Sequence, residues 1–312
     1  MRHTNTSGTI LMGADGKAAT DRPERGRARV RIAASRHPFR TTRAMLGSLG
    51  RLLVVACWLA HPATAFAQVA ESSATILVYH RFSATADDSM TVRVVTFEAQ
   101  LRYLREHGYH FVPLRDIVNW ILDPAAVLPS RPVALTLDDG HRSVFEALLP
   151  IVLRDRLPVT LFIYPSAISN ASYALTWDQL RTLEKTGLFD IQSHTYWHPN
   201  FKVERRRRSA ADFRQFVRTQ LDRSRKRLEA ETGARVDMLA WPFGIYDDEL
   251  MSIAAEQGYA ASFTLVGRRA DRHAALLALP RFLMTDAHGP TALARLLGDA
   301  PAQPARTGEQ QP

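Results

Sequence analysis

Between residues 73 and 284 the chain repeats one unit: a short apolar run rich in β-branched residues, a turn, and a segment with apolar residues at helical spacing. The strand-like runs are SATILVYHRF, HFVPL, RPVALTL, PVTLFIY, LFDIQS and VDMLAW, with YAASFTLV and LALPRFLM closing the series. Between them lie helical segments. TFEAQLRYLREHG places Phe97, Leu101 and Leu104 on one face before Gly108, TWDQLRTLEKTG has Thr176 as its N-cap, and residues 204–232 read as one long charged helix. Seven or so strands alternating with helices predict an α/β protein with a (β/α) barrel in one catalytic domain. An open, doubly wound sheet is the alternative. No G-x-G-x-x-G or Walker-type loop follows a strand, which weakens the nucleotide-binding form of that alternative.

The formal charge of +9 invites a nucleic-acid reading, but its distribution argues against one. Residues 1–67 hold 11 of the 40 Lys and Arg and only 3 of the 31 Asp and Glu, so the remainder is nearly neutral. Within that basic extension, Arg51, the apolar run Leu52 to Ala60 and the small-residue stretch ending at Ala67 have the order of a secretory signal peptide. The run is too short to span a bilayer. The Arg-rich segment before Met45 either extends this leader or precedes a translation start at Met45. The expected divisions are therefore 1–67 as extension and signal peptide, 68–297 as the barrel domain, and 298–312 as a disordered tail. The protein is expected to be exported to the periplasm or cell surface. Cys57, the single cysteine, lies in VVAC, and its acylation would give a membrane-anchored form.

In a barrel, reactive groups gather where strands end and loops begin. Four polar clusters fall at such places: ILVYH, LTLDDG, IQSHTYWHPNF and MLAWPFG. His194 and His198, with a carboxylate from another strand, make a three-ligand divalent metal set that suits zinc and leaves a position open. Pro199 disfavours a helical His198, so the pair belongs to a loop. The adjacent Asp138 and Asp139 then have a rationale. One binds the cation, which offsets their repulsion, and the other stays free to accept a proton. Gly140 allows the sharp turn that brings both to one centre. An Asp-Asp-Gly sequence standing alone would read as a turn or helix cap.

Taken together, TLDDG, SHTYWHPNF and AWPFG resemble the polysaccharide deacetylases, carbohydrate esterase family four, over about residues 75–285. The resemblance implies a distorted seven-stranded β/α barrel that hydrolyses N-acetyl groups of aminosugar polymers. It implies Asp138 as general base, Asp139, His194 and His198 as ligands of one divalent ion, and Thr195 as a brace for the histidine loop. Two departures stand out. The arginine that begins the third motif is replaced by Ala240, and Arg281 in LPRF is the expected substitute. No L-x-H motif supplies an acid near the C-terminus; His80 in ILVYH fills that place, an order similar to the exported poly-β-1,6-N-acetylglucosamine deacetylases. His288 is the weaker candidate.

A backbone N–H near Phe243, beside Pro242, is expected to hold the oxyanion, and Tyr164, Trp197 and Trp241 to stack on sugar rings or pack in the core. Arg205 to Arg208 open a helix whose charged face is either solvated or contacts anionic wall polymer, a membrane or export machinery. The sequence reading is thus a metal-dependent N-deacetylase acting on poly-β-1,6-N-acetylglucosamine, with zinc as cofactor and no nucleic acid partner. Its rivals are a peptidoglycan, chitin-oligomer or O-acetyl hydrolase, a glycan-binding barrel without catalysis, and an export-complex subunit.

Overall fold

A computed structural model of the protein describes residues 73–86 and 88–299. The expectations for the leader, Cys57 and the chain beyond Asp299 lie outside the described residues. In chain order the elements are β1 (Ser73–Tyr79), β2 (Arg81–Ser83), β3 (Thr91–Arg93), α1 (Val94–Glu106), β4 (His110–Phe111), α2 (Leu114–Leu122) and β5 (Pro132–Asp139). A π-helical turn, Val144–Leu148, leads into α3 (Leu149–Asp155), followed by β6 (Val159–Ile163), α4 (Trp177–Lys185), β7 (Phe189–Ser193), α5 (Phe201–Arg206) and α6 (Ala210–Thr232). The last elements are β8 (Met238–Ala240), α7 (Asp248–Glu256), β9 (Ala261–Phe263), β10 (Ala270–Asp271), β11 (Phe282–Leu283) and α8 (Pro290–Leu297).

The sheet is parallel in the order β1-β5-β6-β7-β8-β9, with β10 antiparallel on the start of β1 and β4 beside the first residues of β5. Strands buried on both faces carry continuous apolar runs, and β5 has every residue from Pro132 to Asp138 buried. The two edges of the sheet meet through one short stretch. Leu279 bridges Phe263 of β9, and three residues later Phe282 and Leu283 pair with Leu77 and Val78 of β1. The seam is irregular because the chain changes partner within it, and Pro280 has no N–H to continue a ladder. The result is a distorted seven-stranded β/α barrel, with β4 and β10 appended at its rim.

Several local expectations changed on folding. The helix expected over SVFEALLPIVLRD begins as a π turn, because Pro150 lacks the N–H that a continuous α-helix would need. The helix expected over 204–232 is two helices. Ser209 caps the second by accepting from the Asp212 N–H at 3.2 Å, and the first ends after Arg206. The expected strand LALPRFLM is a 3₁₀ turn, Leu276–Ala278, followed by the seam. Helix α8, opened by Pro290 and closed by Gly298 in the left-handed conformation, was not expected, and Asp299 beyond it accepts hydrogen bonds from Tyr103 and Tyr109. Thr176 does cap α4, in a reciprocal capping box with Gln179.

Beneath the mouth of the barrel, Tyr79, Phe82 and Phe97 form an aromatic cluster with centroids 5.0–5.8 Å apart. The Phe82 N–H donates to Ser143 Oγ at 2.9 Å, so the turn carrying His80 and Arg81 is fixed from both sides. Gly140 turns the chain at the end of β5 with φ +77°, and a Cβ there would lie 2.8 Å from Ile163 Cδ1 and 3.2 Å from Ile168 Cδ1. We expect Gly140→Ala to lose about 1–3 kcal/mol from the backbone strain alone. A denaturant midpoint equal to wild type would show that the turn has room to relax.

Candidate active site

At the carboxyl end of β5 the backbone leaves the strand abruptly. Asp138 still pairs in register with Phe162 of β6 and is 2% exposed. Asp139 follows with φ +76°. Neighbours on a regular strand face opposite sides, so this left-handed residue is what lets both carboxylates serve one pocket. Of the seven non-glycine residues with positive φ among those described, four are Asp139, Thr195, His198 and Phe243. Each costs stability, and their gathering at one mouth is the mark of a site whose geometry is held by its surroundings.

At the end of β7, the His194 N–H donates to Ile163 O at 2.8 Å, one step past the last paired residue. Its ring Nδ1 lies 2.8 Å from Ala240 O, which fixes the tautomer and leaves Nε2 free to face the pocket. Nε2 of His194 and Nε2 of His198 lie 3.6 and 3.7 Å from Asp139 Oδ1. One ligand atom from each of the three residues falls within 4.8 Å of the others. Two nitrogens and a carboxylate oxygen converging in this way fit a divalent ion with an open coordination position. Thr195 Oγ1 accepts from the His198 N–H at 3.2 Å and closes the loop between the two imidazoles. Burial is the largest influence on His198, and with the neighbouring His194 it lowers the imidazole pKa to about 3. The ring is therefore neutral, the form that coordinates metal.

Asp138 lies 3.9 Å from His194 Nε2 and is bound elsewhere. Arg281, fully buried on the seam, donates to Asp138 Oδ1 at 2.8 Å and Oδ2 at 2.7 Å, a bidentate pair. Its Nε donates to Thr264 O at 3.1 Å and Nη1 to Thr136 Oγ1 at 3.2 Å, so the guanidinium is held on three sides. Burial pushes the Asp138 carboxyl up, but the Arg281 charge and hydrogen bonds, with His194 and His80, bring it down to about 2.

His80 follows β1 and lines the same pocket with Arg81, Met90, Leu265 and Leu283. Burial lowers its pKa, opposed by the two aspartates, and its Nδ1 is buried without a partner among the described residues. A buried nitrogen left open at the base of a pocket calls for a ligand or an ordered water. Phe243 is 56% exposed on the rim, its ring 4.5 Å from that of His198, and Pro242 lies buried beside it. Tyr164 packs 5.3 Å from His198, and its hydroxyl is 2.7 Å from that of Tyr173. The pocket lined by His80, Asp138, Asp139, His194, His198 and Phe243 measures about 260 Å³.

The structure separates some of the expected residues from the site. Trp241 does reach the pocket wall, but it is fully buried and its indole N–H donates to Leu277 O at 3.1 Å, so most of the ring packs in the core. Trp197 is 42% exposed and remains available. His288 lies in a turn with Thr285, whose N–H its Nδ1 accepts at 3.0 Å, and it does not reach the pocket. The Arg205 to Arg208 run is largely satisfied internally. Arg205 pairs with Asp247 and Glu249, and Arg207 and Arg208 with Glu204. Sequence reasoning did not single out Arg81, Met90 or the Ala240 carbonyl; the last acts through its backbone, which a side-chain pattern cannot display.

With this geometry established, comparison with known proteins is informative. The family model described as polysaccharide deacetylase matches residues 126–262. The poly-β-1,6-N-acetyl-D-glucosamine N-deacetylase of Staphylococcus aureus (strain MRSA252) is 22% identical over 234 residues, covering 69% of this chain and 80% of that protein. Among solved structures, the deacetylase PplD of Streptococcus pyogenes in complex with acetate aligns with a TM-score of 0.64 at 21% identity, covering 73% of this chain and 99% of that one. IcaB from Ammonifex degensii aligns equally well, with a TM-score of 0.64, 21% identity, and 74% and 99% coverage.

Proposed function

We propose that the chain, which the polysaccharide deacetylase family model matches over residues 126–262, is an exported, metal-dependent N-deacetylase acting on an aminosugar polymer, poly-β-1,6-N-acetylglucosamine first among candidates. The observation that carries this reading is the placement of the Asp139–His194–His198 triad beside a separately held, ionised Asp138 in one pocket. The apolar run and small-residue stretch of residues 52–67 support export. The name of the staphylococcal relative supports the choice of polymer.

Asp139, His194 and His198 would hold a divalent ion, with zinc favoured by the mixed nitrogen and oxygen donors. Such an ion supplies Lewis acidity at the acetyl group. Asp138 accepts the proton of the attacking water, its carboxylate held ionised and aimed by Arg281. The backbone N–H of Phe243, a residue of positive φ on the pocket wall, would donate to the developing oxyanion. His80 delivers a proton to the departing nitrogen as the carbon–nitrogen bond breaks, yielding acetate and a free amine.

The test is an acetate-release screen on poly-β-1,6-N-acetylglucosamine, chitin oligomers and peptidoglycan, with and without chelator. The expected result is chelator-sensitive release from the first polymer, together with one divalent ion per chain in the purified protein. His194→Ala should purify with that ion absent and release no acetate above background. A metal-free wild type, or release indifferent to chelator, would overturn the metal-dependent reading.

A further inference from the structure

Gln100, in the middle of α1, is fully buried among apolar neighbours of the same helix, Phe97, Leu101 and Leu104. An amide in such a place is costly unless its hydrogen bonds are made. Here both ends are bonded: the Tyr79 hydroxyl donates to Gln100 Oε1 at 3.0 Å, and Gln100 Nε2 donates to His288 O at 2.8 Å. The far end fixes the direction, because a carbonyl only accepts. The amide nitrogen must face His288, and the amide oxygen must take the tyrosine proton.

The two groups joined in this way each lie next to the chemistry of the site. Tyr79 ends β1 and directly precedes His80. His288 closes a turn that follows the seam strand β11, itself preceded by Arg281. That turn is rigidly held: Thr285 donates its N–H to His288 Nδ1 at 3.0 Å, and Asp286 accepts from the Arg93 N–H at 3.0 Å and from Arg93 Nε at 2.9 Å. Strands β1 and β11 pair at Leu77–Phe282 and Val78–Leu283, and the Met284 N–H donates to Val78 O at 2.9 Å. Gln100 supplies the next tie between the two segments, from outside the sheet. His80 Nδ1 has no partner among the described residues, so holding its ring falls to the strand end that carries it.

We propose that Gln100 is a positioning residue for proton delivery: its buried amide ties the end of β1 to the turn beyond the seam and so holds His80 in place relative to Asp138 and Arg281. The inference rests on the deacetylase reading. Gln100 acts at one remove from the substrate, through the backbone. Without its amide, the Tyr79 hydroxyl and the His288 carbonyl are left buried and unpaired, and the strand end shifts to relieve them. The chemistry makes this visible. A departing amine needs a proton as the carbon–nitrogen bond breaks, whereas a nitrophenolate departs from an aryl ester without one.

The experiment measures acetate release from a β-1,6-linked N-acetylglucosamine oligomer and from 4-nitrophenyl acetate on the same preparation, and takes the ratio of the two kcat values. Gln100→Met, close in volume and without the amide, should lower that amide-to-ester ratio about ten- to a hundredfold, the cost of a catalytic group displaced by a fraction of its working distance. Its KM and its divalent ion content should match wild type. Tyr79→Phe keeps the ring contacts with Phe82 and Phe97 and removes only the donor, so it tests the same tie by a milder change and should lower the ratio in the same sense. In a His80→Asn background, where no acid remains to be held, Gln100→Met should lower the ratio no further. Variants that keep the wild-type ratio, including any in which both rates fall equally, would overturn the positioning role. Loss of the ion from the variants would also overturn it, since the effect would then lie at the triad. Failure of wild type to release acetate from the oligomer would instead defeat the deacetylase reading itself.

Discussion

Asp138→Asn should release acetate about 10²–10⁴-fold more slowly than wild type, because the substitution removes the proton acceptor while keeping the shape of the side chain. The same change neutralises one half of a buried ion pair. Arg281 would then be a fully buried cation without its carboxylate. Removal of one partner from such a pair typically costs about 3–5 kcal/mol. Rate and stability must therefore be measured together, by acetate release and by denaturant midpoint on the same preparation. Wild-type turnover in a folded Asp138→Asn protein would remove Asp138 from its role as base. A rate loss that merely tracks the unfolded fraction would do the same.

Arg281→Met has the second large effect, and it is separable from the first. Without the guanidinium, the Asp138 carboxyl keeps its burial and loses the chief cause that brings its pKa down to about 2. Its pKa then rises, which reduces the fraction ionised and able to act as base. In wild type the folded-state pKa lies below the ordinary value of 3.8, so Asp138 contributes stability that is present above that value and lost as pH falls through about 2. In Arg281→Met the sense reverses: with a raised folded pKa, the variant should be relatively more stable in acid and weaken as pH rises. We expect about 3–5 kcal/mol of destabilisation at neutral pH. The double variant Asp138→Asn, Arg281→Met should recover much of that stability, since it buries no charge, and should recover no activity. Denaturant midpoints across pH 3–8 check both statements. Additive losses in the double variant would show that the two side chains act independently.

Much of this site was legible because its chemistry lies where the strand pattern changes to loop. The apolar run before Asp138 marked a buried strand, and His194 and His198 followed another. What the sequence concealed was the backbone's share. Left-handed residues at Asp139, Thr195 and His198 carry only a weak side-chain signature: aspartate and histidine take positive φ more often than most residues, but in a minority of cases, and the β-branched Thr195 gives no hint at all. The helix break at Ser209 was hidden by flanking charge, although Ser209 with Asp212 is an N-cap signal. Helix α8 has its signals in Pro290 and Gly298, but a segment of eight residues shows too few turns for its apolar spacing to stand out. Trp241 was ambiguous for a different reason: a tryptophan beside a motif serves a sugar or a core equally well, and only its burial distinguishes the two.

The seam has a consequence for how the protein matures. Leu279 to Leu283 are the last residues to complete the ring, and the side chain that fixes the state of Asp138 travels on them. A copy of the chain still emerging, or one misassembled at this join, has the triad's residues but an aspartate without its cation. Closure of the sheet and the ionisation of Asp138 thus depend on the same five residues, so a chain whose join is left open would keep the triad and lose its base.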